Sequence, residues 1–291
     1  MPPKRERLDK LLVENGFVSG RSMAREMILS GKVLVDGFPV KKPASMVHRD
    51  CSIEVTGKGQ EWVSRGAWKL LQALDSFGFF VEGRSCVDIG ASTGGFTDVL
   101  LQKGAKKVYA VDVGYGQLAW KLRNDPRVVV MERTNARDLS PGSFEGVSLV
   151  TVDVSFISLR HILPVVDAVL EKGGLCITLV KPQFEAGREK VGKKGVVRDQ
   201  AVHEEVLRSL CAFLLDVTGL SVAGIDVSPL LGPEGNREFL LHLVKAEGSS
   251  GSREGCLDEG ELERRVVRTV EAAHSPGFFE GGRRDERGRE R

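Results

Sequence analysis

Cysteine is scarce and scattered in this chain. The five cysteines (Cys51, Cys86, Cys176, Cys211 and Cys256) form no Cys-x-x-Cys pair, and the five histidines do not cluster with them. That argues against a structural zinc site or a disulfide framework, so no metal is expected and a reducing, cytoplasmic setting is. Long apolar runs are missing as well. No stretch approaches the ~20 residues that span a bilayer, and Met1-Pro2-Pro3-Lys4-Arg5-Glu6-Arg7 leads into an amphipathic helix, not an apolar signal core. The charge balance is nearly even: 42 basic against 40 acidic residues leaves +2. Any nucleic-acid affinity must therefore come from local basic patches. The glycine-rich turn near residue 90 has neither the Gly-x-Gly-x-x-Gly dinucleotide spacing nor a following Gly-Lys-Ser/Thr, which argues against a dehydrogenase and a P-loop enzyme. No internal repeat is visible. What remains is ordinary for a globular protein: 291 residues, 41% hydrophobic and 28% charged, enough for one large domain plus a small one.

The chain is organised around Cys86-Val87-Asp88-Ile89-Gly90-Ala91-Ser92-Thr93-Gly94-Gly95-Phe96. An apolar run ends in an acid, a glycine-rich turn follows, and Thr97 to Gln102 has helical spacing. This is the strand–loop–helix opening of a doubly wound α/β fold. Glycines let backbone approach a ligand, and the helix start points free N–H groups at it. Asp-x-Gly-x-x-x-Gly-Gly resembles the S-adenosylmethionine loop of Rossmann-like methyltransferases. Further strands are expected at Lys107–Asp112, Arg127–Met131, Ser148–Asp153, Gly174–Val180, Ser221–Ser228 and Glu238–Val244. Asp112 closes the second strand, where an acid commonly accepts hydrogen bonds from ribose hydroxyls. Asn135 follows the third, where the edge of an adenine often lies. Ahead of the first strand, Ser64 is expected to cap a helix reaching Phe77, with Arg65 and Lys69 sharing a face. Leu159 to Leu170 reads as a crossover helix with Pro164 in its first turns, and Gly187 to Val197 as a mobile basic loop carrying Arg188, Lys190, Lys193 and Lys194. Gly248-Ser249-Ser250-Gly251-Ser252 reads as a flexible linker, Leu257 to Ala273 as a helix, and the mixed-charge tail from Ser275 as disordered.

Residues 5 to about 57 read as two short helices followed by a hairpin, with Ser19 or Ser22 capping the second helix. Arg5, Arg7, Lys10, Arg21, Arg25, Lys32, Lys41 and Lys42 recur along it. Arg7-Leu8-Asp9, Ser19-x-Arg21-Ser22-x-Ala24-Arg25 and Gly31-Lys32-Val33-x-Val35-Asp36-Gly37 resemble the S4-like RNA-binding domain. Such a module holds RNA through phosphate contacts and shape.

In an open parallel sheet, ligands sit beyond the carboxyl ends of the strands. Asp112, Asp153 and Lys181 all close strands. If the last strand runs antiparallel, Glu238 at its start shares that edge, and Lys69 can reach it from the preceding helix. Each alone is an ordinary charge at a strand end; four converging on one glycine loop are a site. The Lys69-Asp153-Lys181-Glu238 set resembles the tetrad of FtsJ-type ribose 2′-O-methyltransferases. Trp62-Val63-Ser64-Arg65-Gly66, Val113-Gly114-Tyr115-Gly116-Gln117-Leu118, Arg133-Thr134-Asn135-Ala136-Arg137, Asp153-x-Ser155-Phe156-Ile157-Ser158-Leu159 and Lys181-Pro182-Gln183-Phe184-Glu185 extend the match. To about Lys245 the chain resembles the TlyA family, ribosomal-RNA 2′-O-methyltransferases that modify cytidines and are often labelled haemolysins. Members commonly carry Arg-x-Trp-Val in the interdomain connector; here the four residues are Gln60-Glu61-Trp62-Val63, without the arginine.

The resemblance implies an α/β fold: a Rossmann-like methyltransferase with a seven-stranded, mostly parallel sheet, preceded by a small α+β S4-like domain. The expected layout is an RNA-binding domain over 5–57, a connector over 58–64, a methyltransferase domain over 65–246 and a flexible, partly helical or disordered extension over 247–291. S-adenosylmethionine would lie against Asp88, Gly90, Ala91, Ser92, Thr93, Gly94, Gly95, Phe96, Asp112, Asn135 and Asp153. Lys181 would be the base or oxyanion stabiliser, Asp153 would orient it, and Lys69 and Glu238 would position the ribose. The expected partner is ribosomal RNA or a ribosomal subunit, held by Arg5, Arg7, Arg21, Arg25, Lys32, Lys41, Lys42, Arg65, Arg188, Lys190, Lys193 and Lys194. Two alternatives stand beside this: a non-catalytic RNA-binding assembly factor, and a pore-forming haemolysin, which would need a membrane-inserting stretch that the sequence does not show.

Overall fold

The computed structural model describes residues 5–15, 17, 21–49, 51–55, 62–246, 255–276 and 278–279. The chain divides into two units, Met1–Glu61 and Trp62–Arg291.

In the first unit, β1 (Arg5–Arg7) leads into α1 (Leu8–Glu14), then α2 (Arg21–Leu29), β2 (Val33–Val35), β3 (Phe38–Pro39), β4 (Met46–His48) and β5 (Ile53–Val55). The strands pair as β1 with β4 and as β3-β2-β5. Asp36 and Gly37 both take positive φ (50° and 82°), the backbone that a two-residue hairpin turn demands. Leu8, Leu11 and Leu12 of α1 close on Ala24 and Ile28 of α2 and on Val33, Val35 and Val47. Their i, i+3, i+4 spacing gives α1 one apolar face.

The second unit runs α3 (Ala67–Phe77), β6 (Ser85–Ile89), α4 (Gly95–Gln102), β7 (Lys107–Val111), α5 (Trp120–Arg123), β8 (Val128–Met131), β9 (Val147–Val152), α6 (Leu163–Val169), β10 (Leu175–Val180), α7 (Pro182–Glu185), α8 (Gln200–Val217), β11 (Leu220–Val227), β12 (Phe239–Lys245) and α9 (Glu259–His274). The seven strands order as β11-β12-β10-β9-β6-β7-β8, and β12 alone runs antiparallel to its neighbours. Alternation along each strand feeds two cores. Val87 and Ile89 of β6 join the layer built with α6, α8 and α9. Cys86 of β6, with Ile177 and Leu179 of β10, joins the layer built with α3 and α4.

Several local expectations shift. Helix α3 starts at Ala67 with Gly66 at its N-cap and no side-chain cap, so Ser64 does not cap it and exposed Arg65 lies outside it. The crossover expected to run unbroken from Leu159 is a single turn over Leu159–His161 and then α6, whose second residue is Pro164. A proline fits that first turn because its missing N–H has no partner there anyway. The basic loop expected to be mobile is tied down at its end: Val196 and Val197 are buried, and the Val197 N–H donates to Asn236 Oδ1 at 3.1 Å. Within the extension expected to be flexible, α9 is docked. Asp258 caps it, and Val266, Val270 and Ala273 are buried against the sheet layer. The linker and most of the tail, like Arg21's side chain and Ser19, lie outside the described residues.

Candidate active site

The four expected site residues meet at one edge of the sheet. Antiparallel pairing sets Phe239 of β12 opposite Val180 of β10. The residue after one strand, Lys181, and the residue before the other, Glu238, therefore emerge together. Parallel pairing of β10 with β9 and of β9 with β6 brings Asp153 to the same edge. Lys69 reaches in from the first turn of α3. Lys181 Nζ lies 2.6 Å from Asp153 Oδ1, Lys69 Nζ 3.9 Å from Asp153 Oδ2, and Lys69 Nζ donates to Glu238 Oε2 at 2.6 Å. The order is cation, anion, cation, anion, so the cluster is neutral as a whole. Lys181 is 8% exposed and Glu238 is fully buried. Burial holds the Glu238 carboxyl above its ordinary pKa, and the Lys69 ammonium pulls it back down. Gly232 makes the room: a Cβ there would stand 2.2 Å from Glu238 Oε1. Lys181 also donates to Ser155 Oγ at 2.9 Å, a partner to which sequence reasoning assigned no role.

The glycine loop lies beside this cluster. The carbonyl of Asp153 stands 2.5 Å from where a Gly90 Cβ would be, and Gly90 has φ +84°, so both contact and backbone require glycine. Gly94 needs glycine for its backbone, with φ +97°, and both Gly94 and Gly95 are closely packed. A Cβ on Gly94 would meet Leu122 and Leu118, and one on Gly95 would meet Ser64 Oγ at 2.3 Å. The connector end is fastened here too, since the Val63 N–H donates to Asp98 Oδ2 at 3.0 Å. Asp112 closes β7 and accepts from the Ser92 N–H at 2.8 Å and the Gly114 N–H at 2.6 Å. Asn135 caps a short turn through Arg137 N, and Ser92 and Thr93 are exposed. Two of the expected cofactor residues turn their side chains into the fold. Phe96 is buried in the α4 core. Asp88 is fully buried and accepts from Thr97 N (2.9 Å), Thr97 Oγ1 (2.7 Å) and Thr151 Oγ1 (2.9 Å). Strand alternation turns Asp88 toward α4, not out of the sheet edge. Burial pushes its carboxyl up to about 6.

The chain matches the FtsJ-like methyltransferase family over residues 62–245 and the S4 domain over residues 6–50. It is 47% identical over 257 residues to the 16S/23S rRNA (cytidine-2′-O)-methyltransferase TlyA of Mycobacterium tuberculosis, covering 88% of this chain and 96% of that one. It belongs to the TlyA family. YqxC of Bacillus subtilis, named as a candidate rRNA methyltransferase, is 50% identical over 94% of this chain and 96% of its own. A solved structure described as a candidate hemolysin from Streptococcus thermophilus shares 44% identity and a TM-score of 0.68, covering 94% of this chain and 97% of that one. The methyltransferase fold of the TlyA family supports use of S-adenosylmethionine. The residues at this edge suit such a group: the Asp112 carboxylate just after β7 for ribose hydroxyls, exposed polar loop residues, and acids to face a positive sulfonium. Among the described residues no helix is long and apolar enough to cross a membrane, and no three His, Cys, Asp or Glu side chains group as a metal site.

The residues expected to hold RNA fall into two kinds. Arg5, Arg25, Lys41, Lys42, Arg65, Arg188, Lys193 and Lys194 are exposed, and Lys32 is half-buried. Arg7 is committed to Asp9 through two bonds (2.9 and 2.8 Å), and Lys190 pairs with Glu205. Phe156 carried no assigned role in the sequence. Its ring is 90% exposed, its φ is +65°, and it leans on Phe184 at 5.2 Å. Ser92, Arg133 and Phe156, all with positive φ, follow β6, β8 and β9 at the same sheet edge. Strained backbone gathered at one edge is a common mark of a functional site. A bare aromatic directly after Ser155 is a signal that only exposure reveals.

Proposed function

We propose that this protein transfers a methyl group from S-adenosylmethionine to the ribose 2′-oxygen of a cytidine in ribosomal RNA of the small subunit, the large subunit or both. The observation that carries the reading is the ion chain Lys181–Asp153–Lys69–Glu238 at the sheet edge that also bears the Gly90 loop. The curated name of the Mycobacterium relative supplies the target chemistry.

When bound, S-adenosylmethionine supplies an already activated methyl on a positive sulfonium. Asp112 would accept from its ribose hydroxyls, the Gly90–Thr93 backbone would face its polar end, and Asn135 would edge its base. Asp88 acts from below, bracing Thr97 and thereby the start of α4. A ribose hydroxyl is a very weak acid, so its proton must leave as the new bond forms. Lys181 either takes that proton or stabilises the oxygen as the proton departs. Its ion pair with Asp153 and its bond to Ser155 Oγ suit the second role, because they favour the charged ammonium and fix its place. Asp153 orients Lys181. Lys69, itself oriented by Glu238, positions the ribose. Placement of the attacking oxygen in line with the methyl is the larger rate contribution, since the donor is activated before it arrives. The exposed cations of the S4 unit hold phosphates, and the bare ring of Phe156 offers a surface on which an unstacked base can rest. The reaction belongs in the cytoplasm, where ribosomes are assembled.

The test is mass-spectrometric mapping of 2′-O-methyl groups on purified small- and large-subunit ribosomal RNA after incubation with the protein and S-adenosylmethionine. New methyl groups on cytidine riboses are expected. RNA binding without incorporation would replace the reading with a non-catalytic assembly factor, and leakage of liposomes would revive the haemolysin.

A further inference from the structure

Three consecutive residues before β12 each reach a different part of the second unit. Glu238 bonds Lys69 in the ion chain. Arg237 donates from Nε to the carbonyl of Ala273 at 2.7 Å, near the end of α9. Asn236 is 3% exposed, and its amide is filled by three bonds. Its Oδ1 accepts from the Val197 N–H at 3.1 Å, and its Nδ2 donates to the Gly195 carbonyl at 2.9 Å and the Pro233 carbonyl at 3.1 Å. The Asn236 carbonyl in turn accepts from the Gly232 N–H at 2.8 Å, and Gly232 is the residue whose missing side chain admits Glu238.

Gly195 to Val197 is the end of the basic segment. Two adjoining grooves run along that segment and share Gly192. One starts at Gln183 and Phe184, two residues after Lys181, and includes Arg188; the other is lined by Lys193, Lys194 and Arg198. Glu189 and Asp199 bring acids to the same stretch, and Asp199 is spent in capping α8. The cations remain in excess, and a groove of that sign leading away from the ion chain suits the phosphates of a single RNA strand.

We propose that Asn236 is a positioning residue that holds this groove in register with Glu238, so that RNA lying along Arg188, Lys193, Lys194 and Arg198 presents its ribose to Lys181. The proposal rests on the methylation reading above. A buried primary amide is suited to the task because it donates twice, to the Gly195 and Pro233 carbonyls, and accepts once, from the Val197 N–H; a hydroxyl has one proton to donate and an ionised carboxylate none. Removing it leaves a buried N–H and a carbonyl without partners and releases the loop.

Asn236→Ala and Asn236→Asp test this. The aspartate keeps the acceptor for Val197 but cannot donate to Gly195 or Pro233. Methyl transfer to ribosomal RNA, S-adenosylmethionine affinity by calorimetry, and the thermal midpoint are measured for both and for wild type. The KM for RNA is expected to rise about tenfold in both variants, with cofactor affinity within twofold of wild type. A Lys193→Ala/Lys194→Ala pair should raise KM in the wild-type background and add little in the Asn236→Ala background, because those charges act only when the loop is held. An unchanged KM in either variant, full additivity with the lysine pair, or cofactor affinity lost in step with the thermal midpoint overturns the positioning role. The wild-type protein reports separately on the reading beneath it: no incorporation by wild type removes both, whereas wild-type incorporation with unaltered variants removes only this proposal.

Discussion

Lysine stands in two opposite settings in this protein. Lys41 and Lys42 stand exposed on the first unit, whereas Lys69 and Lys181 of the second are largely buried and fastened to acids. An exposed ammonium keeps its water, gains little from any one partner, and is screened by salt. That makes it a good phosphate contact and a poor instrument of geometry. A buried ammonium has lost its water and must be paired. Removing one partner there strands the other charge, so the pair holds atoms to a fraction of an ångström. On the proposed function, the same side chain would supply affinity in one place and orientation in the other, and burial would decide which.

The widest break in that comparison should come from Lys181→Ala. Methyl transfer in a tritiated-methyl assay is expected to fall by at least about 100-fold, with S-adenosylmethionine affinity by calorimetry changed less than threefold. Full retained activity would remove Lys181 from the reaction. Glu238→Gln comes next. It leaves Lys69 facing a neutral group, and activity should fall about tenfold. Thermal stability should move by less than about 1 kcal/mol, because the lost pairing offsets the relieved burial of a charge. A large loss of stability at unchanged activity would make Glu238 a structural residue alone.

Asp88 extends the comparison to a buried acid with no cation on it. Its carboxyl sits at about 6 in the fold against an ordinary 3.8. The folded state therefore holds its proton where the unfolded chain has lost it. The stability from the neutral form is complete below about pH 4 and is lost as pH rises through about 6, a change of about 3 kcal/mol. Asp88→Asn should remove that slope. Urea denaturation of both proteins from pH 4 to 8 reads it as a stability difference that moves in favour of the variant as pH rises; a flat difference would mean that Asp88 is ionised throughout. The smallest effect belongs to the exposed lysines. Lys41→Ala with Lys42→Ala should weaken RNA binding about threefold at moderate salt and lower the salt slope by about one to two, leaving cofactor affinity and stability as they were. A loss confined to one RNA sequence would show that these lysines do more than meet phosphates.

Much of the site was legible because its residues sit at the ends of strands. An apolar run that closes on Asp112, Asp153 or Lys181 announces both the strand and the edge where it stops, and the resemblance to the TlyA family joined Lys69 and Glu238 to them. The misreadings share a cause. Asp88 also lies at the end of a strand, but one step of the two-residue alternation turns it under α4. Gly94 and Gly95 were read for ligand approach alone, and the packing of Leu118, Leu122 and Ser64 beside them was not visible. The basic loop read as mobile, and the helix expected over 257–273 was placed in a flexible extension, because polar composition is visible while the bonds that hold them, involving Asn236 and Arg237, join residues ~40 positions apart.

The order of strands, the glycine turn and the charge types at the sheet edge were determined by the sequence itself, because hydrophobic period and turn chemistry are local properties. Pairing was decided only in three dimensions. Which acid faces Lys181, that Glu238 loses all contact with water, that Phe156 keeps nearly all of its own, and that Asn236 links a loop to a strand depend on how β10 pairs with β9 and β12 and on what packs around those strand ends. Register is a relation between distant segments, and no one segment carries it.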